Sequence, residues 1–144
     1  MTRKVLYFKD IKKEQEFKVS KYRLTREVII AYCKAVGEKN PLFIDIALAK
    51  REGFPALPAP PTMAVVYAMK GFLEEVEMPV GGFHANQAFE FKHPAMAGDD
   101  LTTTTKVFDK FETKGEKHVI VEAVTKNQNG HEIVRSRMDA IWPS

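Results

Sequence analysis

The residue types best suited to chemistry gather in one short stretch, Gly37 to Asp45, with the sequence GEKNPLFID. Two carboxylates, Glu38 and Asp45, flank an Asn40-Pro41 step, a construction that fixes the backbone and presents side chains to a ligand. A carboxylate placed this way can hold or polarise a water. Moving its proton at neutral pH calls for a partner such as histidine, whose ordinary pKa of about 6.5 lets it accept and donate. The position where such a base could stand is Phe43, which does neither. Glu38 is therefore the weak catalytic candidate, and Asn40, Pro41 and Phe43 are binding candidates. Each has a plainer reading beside it: a solvated acid for Glu38, a turn for Asn40 and Pro41, and a wall for Phe43. Thr62 and Met63 join the binding candidates at the start of an apolar helix. There Thr62 either caps the helix through its hydroxyl or offers its N–H to a carbonyl. His84, His93, His118 and His131 fall in strands or at strand ends without zinc-ligand spacing, and Cys33 is the one cysteine, so no metal site is expected. Of the four, His93 stands out by its place between Lys92 and Pro94, beside the Gly98-Asp99 loop.

Helical patterns fill the first half of the chain and strand patterns the second, which predicts an α+β domain with an antiparallel sheet. Glu16 to Tyr22 alternates as a first strand. Thr25 is placed to cap a helix, Leu24 to staple against Ile29, and Gly37 to stop it after Val36. Asp45 caps a shorter helix from Ile46 to Glu52, ended by Gly53. The proline-rich run from Phe54 to Met63 is a rigid lead-in. With Pro61 at its first position, the next helix is apolar on nearly every face from Thr62 to Leu73 and must be enclosed on most sides. Beyond Gly81-Gly82 the period changes to two, with strands at Phe83 to Lys92, Leu101 to Phe111, His118 to Lys126 and Glu132 to Trp142. Loops are expected at Gly98 to Asp100 and Lys114-Gly115, and Asn129-Gly130 signals a two-residue hairpin. One enclosed helix followed by an antiparallel meander is the hot-dog arrangement, in which a sheet wraps a long central helix.

A chain of 144 residues, 44% hydrophobic and 28% charged, suits a single domain over 1–144. Its net charge of +3, from 22 basic and 19 acidic residues spread along the chain, forms no nucleic-acid arm, though it favours an anionic ligand. No apolar run reaches a membrane span, the amino terminus is too charged for a secretory signal, and the lone cysteine fits a reducing compartment. The expectation is a cytoplasmic protein that binds neither nucleic acid nor membrane.

The same residues carry a family resemblance. Active members of the MaoC-like hydratase/dehydratase family, which have the hot-dog fold, show Asp-x-Asn-Pro-x-His-x-Asp. Gly-Phe follows about a helix later, and Ala-His-Gly-Met opens the central helix. This chain has Glu38-Lys-Asn40-Pro41-Leu-Phe43-Ile-Asp45, then Gly53-Phe54, then Ala59-Pro60-Pro61-Thr62-Met63. Its Phe89-Glu-Phe91-Lys-His-Pro94-Ala-Met-Ala-Gly98-Asp99 is similar to the family's Phe-x-x-Pro-x-x-x-Gly-Asp segment. The spacing is kept from about Thr25 to the last strand.

The resemblance implies a reaction in which water adds to a 2-enoyl thioester or leaves in reverse, with the motif's acid and histidine activating that water. Here the acid is one methylene longer and the histidine is Phe43. A misplacement of about 1 Å can cost about a hundredfold in rate. Thr62 stands where the family has the glycine whose N–H polarises the thioester carbonyl. These departures resemble the FAS1-like, or MaoC N-terminal, branch, which includes the non-catalytic subunit of heterodimeric (3R)-hydroxyacyl-ACP dehydratases. That branch implies an acyl-CoA or acyl-ACP thioester as ligand, no cofactor, and a homodimer or a heterodimer with a catalytic MaoC-like subunit. Phe43 then lines an acyl channel or the partner interface. Three other functions stay open: a self-sufficient hydratase using Glu38, a thioesterase, and a non-catalytic acyl-thioester-binding protein.

Overall fold

The computed structural model describes residues 2–143. Its elements run β1 (Lys4–Val5), β2 (Ser20–Arg23), α1 (Arg26–Val36), α2 (Ile46–Arg51), α3 (Ala64–Glu75), β3 (Val76–Glu77), β4 (Phe83–Phe91), β5 (Asp100–Thr113), β6 (Glu116–Lys126) and β7 (Glu132–Trp142). An antiparallel sheet in the order β2-β5-β6-β7-β4 curls around α3, while β1 and β3 form a small parallel pair beside it. This is the expected hot-dog arrangement.

The caps are where the residue types placed them. Thr25 Oγ1 accepts the Val28 N–H at 3.2 Å, and Gly37 ends α1 at φ 73°, a backbone angle that costs glycine no Cβ clash. Leu24 and Ile29 are both 0% exposed and share one core cluster, as a hydrophobic staple requires. Asp45 caps α2 by accepting from Ala47 and Leu48. On α3, Tyr67, Met69 and Phe72 turn inward against the sheet, each contributing roughly 1.5–3 kcal/mol of apolar burial. Gly71 lets α3 approach β2, since a Cβ there would sit 2.4 Å from the Ser20 Cβ.

Four expectations are corrected. The first strand is only Ser20–Arg23, with a single bridge from Glu16 to Lys106 upstream of it. It breaks because the Lys18 N–H goes to the Glu75 carboxylate at 2.7 Å instead of a neighbouring strand. The central helix begins later than Thr62, because Pro61–Met63 forms a 3₁₀ turn and regular α3 starts at Ala64. It is also less enclosed than its apolar sequence implies: Val65 (45%), Val66 (37%) and Leu73 (50%) are exposed along one flank. Finally, Asn127 pairs with His131 across three residues, with Gly130 at φ 79°, so Asn129-Gly130 is not a two-residue turn. The two-residue turn is Lys114-Gly115, where φ values of 50° and 78° join Thr113 to Glu116 with the left-handed geometry that matches strand twist.

No helix among the described residues is long and apolar enough to cross a membrane. No group of three or more His, Cys, Asp or Glu among them is arranged to hold a metal ion.

Candidate functional site

Two pieces of irregular backbone build the site. The proline-rich segment cannot form regular structure of its own, so it borrows partners from the loop after β4. Ala59 N–H donates to the Ala95 carbonyl and Ala97 N–H to the Leu57 carbonyl, both at 2.8 Å. Asp99, 6% exposed, fastens that loop: its carboxylate accepts the Met96 N–H at 2.9 Å and the Gln128 amide at 3.1 Å. Gly98 N–H and the Asp99 carbonyl clasp Leu24 at 2.8 and 2.9 Å, tying the loop to the start of α1. The family-like Gly-Asp step is thus a structural clamp in this chain.

Between these segments lies a cavity of about 340 Å³, bordered by Phe43, Phe54, Ala59, Tyr67, Phe91 and Ile133, with Lys92 and His93 also on its wall. Most of this surface is carbon with a few polar groups among it, the composition usual for a small-molecule pocket. Burial, and secondarily the charge of Asp99, pushes the Tyr67 phenol well above its ordinary range, so it stays protonated. Lys92 is ion-paired with Glu90.

Of the sequence-derived site residues, Phe43 reaches the cavity. Glu38 does not line it; its carboxylate accepts the Asn40 N–H at 2.9 Å and holds the turn. The Asn40 side chain accepts the Leu42 N–H at 3.0 Å, and Pro41 opens the 3₁₀ turn that aims Phe43. Thr62 does not cap the helix through its side chain, because the Tyr32 hydroxyl is bonded to its Oγ1 at 3.0 Å. Its N–H is among the leading donors that a helical start leaves unsatisfied internally. Met63 is 1% exposed and packs in the core. Cys33, also buried, has its thiol pKa raised by burial and by nearby Glu38, in keeping with a packing role. Tyr67, Phe91 and His93 are wall residues that helix and strand periodicity placed in core or surface roles. For His93 the available signal was Lys-His-Pro at the end of a strand, where the ladder must break.

An antiparallel sheet curled around one helix, with an apolar cavity beneath the Asn-Pro turn, defines a hot-dog domain of the MaoC-like dehydratase/hydratase class. The chain belongs to the FAS1-like dehydratase family: the family model described as "FAS1-like, dehydratase domain region" matches residues 13–136. A UPF0336 protein of Saccharopolyspora erythraea is 32% identical over 122 residues, covering 81% of this chain and 78% of that protein. The unliganded R-hydratase PhaJ1 of Pseudomonas aeruginosa shares the fold at 19% identity and a TM-score of 0.81, over 96% of this chain and 86% of that one. A chain of the HadBC (3R-hydroxyacyl-ACP dehydratase) complex of Mycobacterium tuberculosis does so at 22% identity and 0.76, over 90% and 98%.

Proposed function

We propose that this chain is the acyl-thioester-binding subunit of a 2-enoyl-thioester hydratase or (3R)-hydroxyacyl-thioester dehydratase, and that a partner hot-dog supplies the catalytic acid and histidine. The observation that carries this reading is the cavity itself. Phe43 stands on its wall in the motif position of a proton-transferring histidine, while the Glu38 carboxylate is spent on the Asn40 backbone. The apolar lining supports binding of an apolar tail, and neither Phe43 nor the engaged Glu38 carboxylate provides an acid/base pair for proton transfer.

The sheet order supports a place for the partner on β4. β4 is an edge strand nine residues long, without proline and with Glu90 as its one charged residue, and such an edge invites pairing. Phe83 and Phe91 are exposed on it, so apolar surface is available along the edge for a second domain. Because Phe91 also borders the cavity, a partner seated on β4 lies next to the bound thioester. Heterodimeric HadBC supports an assembly of two unlike hot-dog chains.

The test is loss of enoyl absorbance when the purified chain is given crotonyl-CoA and a longer 2-enoyl-CoA. It is run first alone and then mixed with a hot-dog subunit that has the intact Asp and His motif. No turnover alone and enhanced turnover in the mixture is the expected result. Hydration by the chain alone that disappears in Glu38→Gln would replace this reading with a self-sufficient hydratase.

A further inference from the structure

We propose that His93 reads the hydroxyl group of the bound ligand, making this cavity selective for a 3-hydroxyacyl thioester over the same acyl chain without the hydroxyl. This rests on the acyl-thioester reading above and adds to it the residue that discriminates. At the end of β4 the Lys92 and His93 N–H groups both point at one carbonyl, that of Ile133, at 2.9 and 3.4 Å. Two residues facing one is a bulge, a device that re-aims side chains beside functional sites. In a regular strand Lys92 and His93 would project to opposite faces; here both border the same cavity.

The chemistry of the ring follows from its partners. Nδ1 of His93 lies 2.9 Å from the Glu132 carbonyl oxygen, and a carbonyl only accepts, so Nδ1 carries the proton. The neutral ring therefore keeps its lone pair on Nε2 and is an acceptor there. Stacking on His131, with centroids 5.4 Å apart and planes 21° apart, holds the ring against rotation. The same wall includes Leu42, Phe43 and Pro94, none with a polar side chain, while Lys92 is a donor already paired with Glu90. Tyr67, protonated, is a second donor. An acceptor and a donor in one apolar cavity suit a ligand that brings a hydroxyl and a carbonyl, and a 3-hydroxyacyl thioester brings both.

The experiment is calorimetry of the purified protein with (R)-3-hydroxybutyryl-CoA and with butyryl-CoA at about pH 8. Wild type is compared with His93→Phe, which keeps a ring for the stack, and His93→Gln, whose amide oxygen still accepts. One neutral hydrogen bond predicts a preference of roughly three- to tenfold for the hydroxylated thioester. The preference should vanish in His93→Phe and return in part in His93→Gln. Binding of both thioesters without preference, or a preference that survives in His93→Phe, overturns the role of His93 and leaves the acyl-binding reading intact. Binding of neither refutes the acyl-binding reading itself, and the role of His93 falls with it.

Discussion

Replacing Asp99 by alanine should loosen the cavity wall, and the cost can be worked from its partners. The carboxylate is 6% exposed and accepts two hydrogen bonds, from the Met96 N–H at 2.9 Å and from Gln128 at 3.1 Å. Hydrogen bonds to a charged acceptor contribute about 1.5–3 kcal/mol each. Gln128 can turn to water once released, so its share falls at the low end. The Met96 amide loses its acceptor inside the loop, so its share falls at the high end. The expected loss is about 4.5 kcal/mol, which in urea lowers the midpoint by about 2.2 M for an m-value of about 2 kcal/mol/M, with m unchanged. The neighbouring Asp100→Ala is the control. Its ion pair with Arg23 has side chains 60% and 63% exposed, so it should cost under about 1 kcal/mol. A second readout belongs to Asp99 alone. Its charge is the lesser cause, after burial, of the raised Tyr67 phenol, so alkaline absorbance should show Tyr67 titrating lower in Asp99→Ala yet still above an ordinary tyrosine. A midpoint shift no larger than that of Asp100→Ala would refute the clamp.

Two further outcomes test the frame around the site. Gly71→Ala would gain about 1 kcal/mol of helix propensity on a surface helix, but here its Cβ meets Ser20 Cβ at 2.4 Å and Oγ at 2.9 Å. Net destabilisation of about 1–2 kcal/mol by thermal or urea unfolding, relieved in the double variant with Ser20→Gly, is expected; a more stable Gly71→Ala would contradict the close approach of α3 to β2. His118 has its pKa raised, chiefly by the hydrogen bond of Nδ1 to Asp139 at 2.9 Å, with Glu116 at 3.2 Å from Nε2 adding to it. A raised folded-state pKa contributes stability that is fully present below the unfolded value of 6.5 and is lost as pH rises through the folded one. The stability gap between wild type and Asp139→Asn should therefore be widest near about pH 5.5 and shrink on the alkaline side, and a gap that is flat with pH would exclude a charged pair.

The alternation of β5, β6 and β7, the Thr25 and Asp45 caps and the Gly37 stop were all legible because each is set by residues within a turn or two of itself. So was the hot-dog arrangement, since an all-round apolar helix beside a long meander has few ways to bury its surface. Phe43, expected to line an acyl channel or the partner interface, borders the cavity. The destination of Glu38, Thr62 and Met63 was decided by partners the local pattern does not specify. Glu38 folds back onto the Asn40 N–H, Tyr32 of α1 takes the Thr62 hydroxyl, and the sheet closes over Met63. The split first strand has the same origin, because it takes Glu75, 57 residues away, to draw off the Lys18 N–H. His93 is the sharpest case. Residue type and spacing assign it to a strand end, but its position on the cavity wall depends on a bulge formed against Ile133 and on a ring proton fixed by the Glu132 carbonyl. Local sequence determines which hydrogen-bonding groups a segment carries. Only the packed chain decides which of them are used up internally and which are left to face a ligand.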